Sequence, residues 1–166
     1  MNIPGLGEVA KDDSIGWHYS EPVNVEVLDG KECRIVLDGY DEDAAKEDFH
    51  SAIANFLSIP RAVLKDAEAH IYCYYQDVNA QCEPDDEEFL SIESPREAWN
   101  HIDLGDEPIV SRCPYGDRGV YVSLECNCDW EPEHGLQIVF KNGAQVSKVG
   151  PYDGHLTHKD ANVVYR

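Results

Sequence analysis

Positive charge is what this chain has least of: Lys and Arg number 13 against 33 Asp and Glu, for a formal charge of −20 at pH 7. That balance repels phosphate backbones and anionic lipid headgroups, so no nucleic-acid and no membrane partner is expected. No apolar run approaches the roughly 20 residues that span a bilayer. The opening MNIPGLGEVAKDD has neither the basic start nor the apolar stretch of a secretory leader. The six cysteines, at 33, 73, 82, 113, 126 and 128, are accordingly expected to be reduced thiols in a cytoplasmic protein.

Catalytic signatures are missing too. No G-x-S-x-G elbow and no Walker-type phosphate loop occurs, and the G-x-G of IPGLGEV lacks the preceding strand and third glycine of a dinucleotide fingerprint. No cysteine stands among bases that would lower its pKa. These gaps lean against an enzyme, and no cofactor is expected.

What is present reads as strands, then helices, then strands. GWHYSEPVNVEVLDGKECRIVLDGY alternates through Val23, Val25 and Val27, turns at Asp29-Gly30, and alternates again through Cys33, Ile35 and Leu37. Asp-Gly between two such runs predicts a two-residue hairpin turn, with Trp17 and Tyr19 on a preceding strand-like arm. From Asp41 the period becomes helical, with Ala45, Phe49, Ala52, Ile53, Phe56 and Leu57 on one face and acids gathered at the N-terminal, dipole-positive end. Pro60 begins a second helix with Leu64, Ala67, Ile71, Tyr74, Tyr75 and Val78 as its stripe. The two should form a helical hairpin packed on the sheet.

In SPREAWNHI, Ser94 as cap and Glu97 three residues on form a capping box, predicting a short third helix with Trp99 and Ile102 inward. The runs PIVSRC, GVYVSLECNCDW and GLQIVFKNGAQVSKVG then make an antiparallel meander, turning at Asn142-Gly143. The expected architecture is a single α+β domain over residues 1–166: a mainly antiparallel sheet, built from an N-terminal hairpin and a C-terminal meander, with the helical hairpin and the short third helix packed on it. A chain this long builds a core without disulfides or metals.

The densest chemistry lies in ECNCDWEPEHGL, residues 125–136. Cys126 and Cys128 would share one strand face, and His134 could join them on an ion, but the second pair of hooks usual in structural zinc is missing. Asp129, Glu131 and Glu133 offer oxygens to a hard cation, or a carboxylate to His134. Pro132 and Gly135 favour a simpler reading, a strand connection with Trp130 packed beneath it and acids facing water.

IPGLGEV followed by DDSIGWHYSEP, then GYDEDAAKEDFHSAIANFL, YYQD, ECNCDWEPEHGLQIVFKNG and VGPYDGHLT together resemble, over most of the chain, a bacterial family classed as a domain of unknown function. The resemblance implies no reaction and transfers no catalytic residue. Small acidic cytosolic proteins of this type often serve as immunity partners of bacterial toxins, an analogy of type.

The leading expectation is therefore a non-enzymatic module that binds a basic protein partner. Acids at 41–48 and at Asp85, Asp86, Glu87 and Glu88 would steer the encounter, and Trp17, Tyr115 and Tyr152 would anchor it. The alternative is a metal-dependent hydrolase or metal-binding domain using Cys126, Cys128, Asp129, Glu131, Glu133 and His134.

Overall fold

The computed structural model describes residues 1–83, 89–158 and 165. The chain opens with β1 (Asn2–Ile3), β2 (Gly7–Lys11), β3 (His18–Ser20), β4 (Val23–Val25), β5 (Lys31–Cys33) and β6 (Val36–Asp38). Next come α1 (Lys46–Ser58) and α2 (Lys65–Asn79), then β7 (Ile102–Leu104), β8 (Ile109–Arg112), β9 (Val120–Cys128), β10 (Leu136–Lys141) and β11 (Gln145–Gly150). The main sheet runs β1-β2-β3-β6-β8-β9-β10-β11, with β7 pairing the far end of β9. Every pairing in it is antiparallel except β6 with β8, where the crossover carries both helices. The fold is α+β, with a mostly antiparallel sheet.

Alternation along β9 and β10 decides which residues meet the helices. Val120, Val122, Leu124, Leu136, Ile138 and Phe140 point to one face and join Phe49, Ile53 and Phe56 of α1 and Leu64, Ala67, Ile71 and Tyr74 of the second helical segment in the main core. Phe56 and Phe140 meet edge to face with ring centroids 5.2 Å apart. Each helix packs chiefly on the sheet, α1 over β9 and α2 over β11.

Three local features differ from the expectations. The Asp29-Gly30 hairpin exists, but β4 and β5 form a separate two-stranded sheet, and a 3-10 turn at Glu26–Leu28 lengthens the loop. Asp29 and Gly30 close it with φ of 58° and 74°. The third helix is a 3-10 turn, Glu97–His101, and not α-helix. Ser94 Oγ does accept the Glu97 N–H at 3.3 Å, but the Glu97 carboxylate reaches back to the N–H of Glu93 and not to that of the cap, and the chain enters β7 at Ile102. The glycines of IPGLGEV serve a strand turn: Gly5 and Gly7 have φ of 84° and 74° in the β1–β2 connection.

The meander turn is as expected. Asn142 and Gly143 have φ of 52° and 66°, and the Ala144 N–H donates to the Lys141 carbonyl, as a type I′ turn requires. Gly143 also touches α1: a Cβ there would stand 2.0 Å from the Ala52 carbonyl oxygen. No helix among the described residues is long and apolar enough to cross a membrane.

Candidate functional site

The side chains between the core positions of these strands face the other way. In register, Asp38 lies opposite Ser111, Ser111 opposite Tyr121, Ile109 opposite Ser123, Ser123 opposite Val139, and Glu125 opposite Gln137. Among the described residues no helix covers this face; residues 151–158, continuing from β11, lie over part of it. Leu156 packs on Cys113, Tyr121 and Val139 in a small second apolar cluster.

A buried polar chain pins that segment. Lys148 is 2 % exposed, and its ammonium donates to Gln137 Oε1 at 2.6 Å, to the carboxylate of Asp153 and to the His155 carbonyl at 2.8 Å. Gln137 Nε2 donates in turn to Ser123 Oγ at 2.9 Å. All three protons of the ammonium are thus engaged, which is what keeps a buried lysine tolerable. Burial pushes the Asp153 carboxyl upward, but the bonds from Lys148 and the His155 N–H outweigh it and hold the group below its ordinary pKa.

Between this segment, the loop after β8 and the exposed part of the face lies a cleft of about 560 Å³, within the range that takes small ligands. Trp17, Tyr115 and Tyr152 all line it, together with Asp38, Ser111 and Glu125. Tyr115 is 64 % exposed and Tyr152 40 %, whereas Trp17 is half-buried. The three aromatic residues singled out in the sequence thus meet around one opening.

Among the described residues, the arginine and the lysine near that opening are occupied. Arg112 gives Nε and Nη2 to the Asp43 carboxylate, Nη2 to Asp48 at 2.8 Å and Nη1 to the Arg118 carbonyl at 2.7 Å. Its hydrogen bond holds the Asp43 carboxyl below the usual carboxylate range. Lys148 is committed to Asp153. The acids are less compensated. The Asp38 carboxylate has no hydrogen-bond or ion-pair partner among the described residues. Among the described residues Glu125 accepts from the Tyr152 hydroxyl, whose pKa is raised first by burial and then by this carboxylate. His158 also lines the cleft, and its Nε2 is buried with no hydrogen-bond partner among the described residues. Burial, then the charge of Lys148, lowers its pKa and favours the neutral ring.

The 126–134 box divides. Cys126 and Cys128 alternate on the core face of β9, each 5 % exposed, and burial pushes both thiols up to about 12. Trp130 packs edge to face on Tyr74 and Tyr75. Asp129 pairs with His101 at 2.9 Å. Glu131, Glu133 and His134 do come together, with ligand atoms within 4.8 Å of one another, in the β9–β10 connection. The two thiols and Asp129 stand outside that group. Gly135, at φ 61°, folds this connection so tightly that a Cβ would lie 2.4 Å from the Cys126 carbonyl oxygen. Asp85, Asp86, Glu87 and Glu88 lie outside the described residues.

Sequence reasoning missed Asp38, Ser123, Gln137 and Lys148. Alternating polar residues in strands read as a water-facing side, and no local signal says that residues 151–158 return over them.

The profile of a domain of unknown function, DUF6985, matches residues 5–156. The chain belongs to this family. The match takes in the main sheet apart from β1, both helices and nearly all of the segment over the second face. Neither the curated proteins nor the solved structures contain a match to the chain.

Proposed function

We propose that the protein is a non-enzymatic binding module for a basic protein partner. The observation that carries this reading is the cleft on the helix-free face, where three aromatic residues surround the Asp38 and Glu125 carboxylates while Arg112 and Lys148 are neutralised internally. Aromatic anchors beside uncompensated acid suit a cationic surface, and the net charge of −20 would speed its approach. A bacterial cytoplasmic protein that covers the active surface of a basic toxin, as an immunity partner does, is the biological class this chemistry fits best.

The test begins with capture by the tagged protein from a lysate of its own host at low salt. Any basic protein released by a salt step is then purified and titrated back. Stoichiometric binding that weakens with salt and is lost in Trp17→Ala supports the module. Binding indifferent to both sinks it. Neutral amides at Asp85, Asp86, Glu87 and Glu88 are expected to slow association and flatten its salt dependence.

A second reading, a metal-binding corner, draws on the clustering of Glu131, Glu133 and His134. Its weakness is in the donors. Glu131 Oε1 already accepts from the N–H groups of Glu133 and His134, and no thiol joins the set. Equilibrium dialysis against zinc decides it: about one bound equivalent, abolished by His134→Ala, is required.

A further inference from the structure

We propose that the cleft on the helix-free face receives an arginine side chain of the partner, with its guanidinium placed between the Asp38 carboxylate and the Trp17 indole. This rests on the binding reading above and names the group that is read.

The site is made where two elements meet. Trp17 immediately precedes β3, and His18 pairs with Leu37, so the chain direction brings Trp17 level with Asp38 on the next strand. Asp38 in turn faces Ser111 across the parallel β6–β8 pair. A half-buried carboxylate without a partner among the described residues is an uncommon feature in a sheet, because partial desolvation raises the cost of leaving it unpaired. An incoming donor removes that cost. The flat indole nearby favours a planar cation, and guanidinium is less strongly hydrated than ammonium, stacks on aromatic faces and forks onto carboxylates.

Charge within the cleft points the same way. With Arg112 held by Asp43 and Asp48, and Lys148 by Asp153, an anionic ligand would meet Asp38 and Glu125 with no available lysine or arginine beside them among the described residues. At about 560 Å³ the cleft exceeds one side chain, so the residues flanking the arginine would enter with it, against Tyr115 and Tyr152 at the rim.

The probe is the blocked peptide acetyl-Gly-Arg-Gly-amide, with its citrulline and lysine counterparts, titrated into nitrogen-15-labelled protein. The arginine peptide should shift the backbone amides of Asp38 and Ser111 and the Trp17 indole N–H. Citrulline, which keeps the shape and loses the charge, should bind about tenfold more weakly, as should the arginine peptide to Asp38→Asn, since each change removes a charge-assisted hydrogen bond. Asp38→Asn is nearly isosteric, and its amide spectrum reports whether the fold is kept; Trp17→Phe serves as a second variant, retaining an aromatic face. Shifts that avoid this face, equal binding of the lysine peptide, or unchanged binding by Asp38→Asn would each overturn the assignment. Free arginine competing as well as the peptide would move the site from a partner side chain to a small cation. A captured basic protein that binds Asp38→Asn and wild type alike would leave the binding module standing and remove arginine from this cleft.

Discussion

On one face of the main sheet, Phe56, Phe140, Ile138 and Leu124 are buried among other hydrocarbons, each 1 % exposed or less. On the other, Gln137 and Lys148 are buried just as deeply, at 1 % and 2 %, but each is held through hydrogen bonds to named partners. The first kind of burial is non-directional and accumulates with area. The second depends on geometry, since removing one partner strands another in a dry place. The helix-covered face can therefore hold the fold through many interchangeable contacts, whereas the opposite face fixes one placement of residues 151–158 and so shapes the cleft.

The strongest way to test this contrast is to damage the apolar side. Phe140→Ala removes a ring that packs on Phe56 at 5.2 Å and is fully buried. A loss of about 3–5 kcal/mol is expected from the transfer and cavity costs together, read from the urea midpoint at constant m-value. Peptide binding at the cleft should survive wherever the variant remains folded. Binding lost in proportion to the cavity would mean that the two faces are not separable.

Lys148→Met makes the complementary change. Methionine retains much of the aliphatic stem and loses the three bonds to Gln137, Asp153 and the His155 carbonyl. The expected loss is about 1–3 kcal/mol, the cost of leaving a buried acceptor unsatisfied. Amide exchange should rise at Tyr152–Thr157 well before it rises in β9. Equal protection in both segments would show that Leu156, not Lys148, holds the segment down.

How far the sequence reveals each face follows from the same physics. The helix-covered side was legible because alternation in β9 and β10 and the stripes of α1 and α2 repeat at fixed periods, and repeated apolar positions point to burial without knowledge of what lies opposite. Trp17, Tyr115 and Tyr152 were legible one by one, Trp17 as an aromatic on a strand-like arm and the two tyrosines as aromatics beside turns. Their convergence was not, because Trp17 reaches the cleft through β3 beside β6 while Tyr152 arrives after β11, a pairing of distant segments with no local signal. Ser123 and Gln137 are polar residues in strands and read as wet. Only the return of Asp153 and His155 to Lys148 makes them dry. The capping pattern at Ser94 was legible and still gave a 3-10 turn, since a cap starts a helix but does not supply an apolar stripe long enough to continue it.

The smallest expected effect lies at the seam between the faces, where Arg112 lines the cleft and also packs over Phe49 of α1, its guanidinium 5.9 Å from the ring centroid. Asp43, whose side chain is 9 % exposed, is its main anchor. Because Asp43 is more acidic folded than unfolded, its contribution is complete above the ordinary aspartate value near 3.9 and declines as pH falls through that value towards the lower folded one. In that window the unfolded chain takes up the proton first, so acid favours unfolding. Asp43→Asn has no such proton to take. It should be somewhat less stable at pH 7, and its stability should fall less steeply than that of wild type below about pH 4, measured as urea midpoints across an acid series. Arg112 would keep Asp48 and the Ala45 and Arg118 carbonyls, so the fold should persist. With Asp43 neutral, however, more of the Arg112 charge would reach the cleft, and the arginine peptide should bind more weakly while Phe140 and its neighbours stay unperturbed. Parallel acid limbs in the two proteins would show that Asp43 titrates alike folded and unfolded, and the neutralisation of Arg112 would then have to come from Asp48 alone.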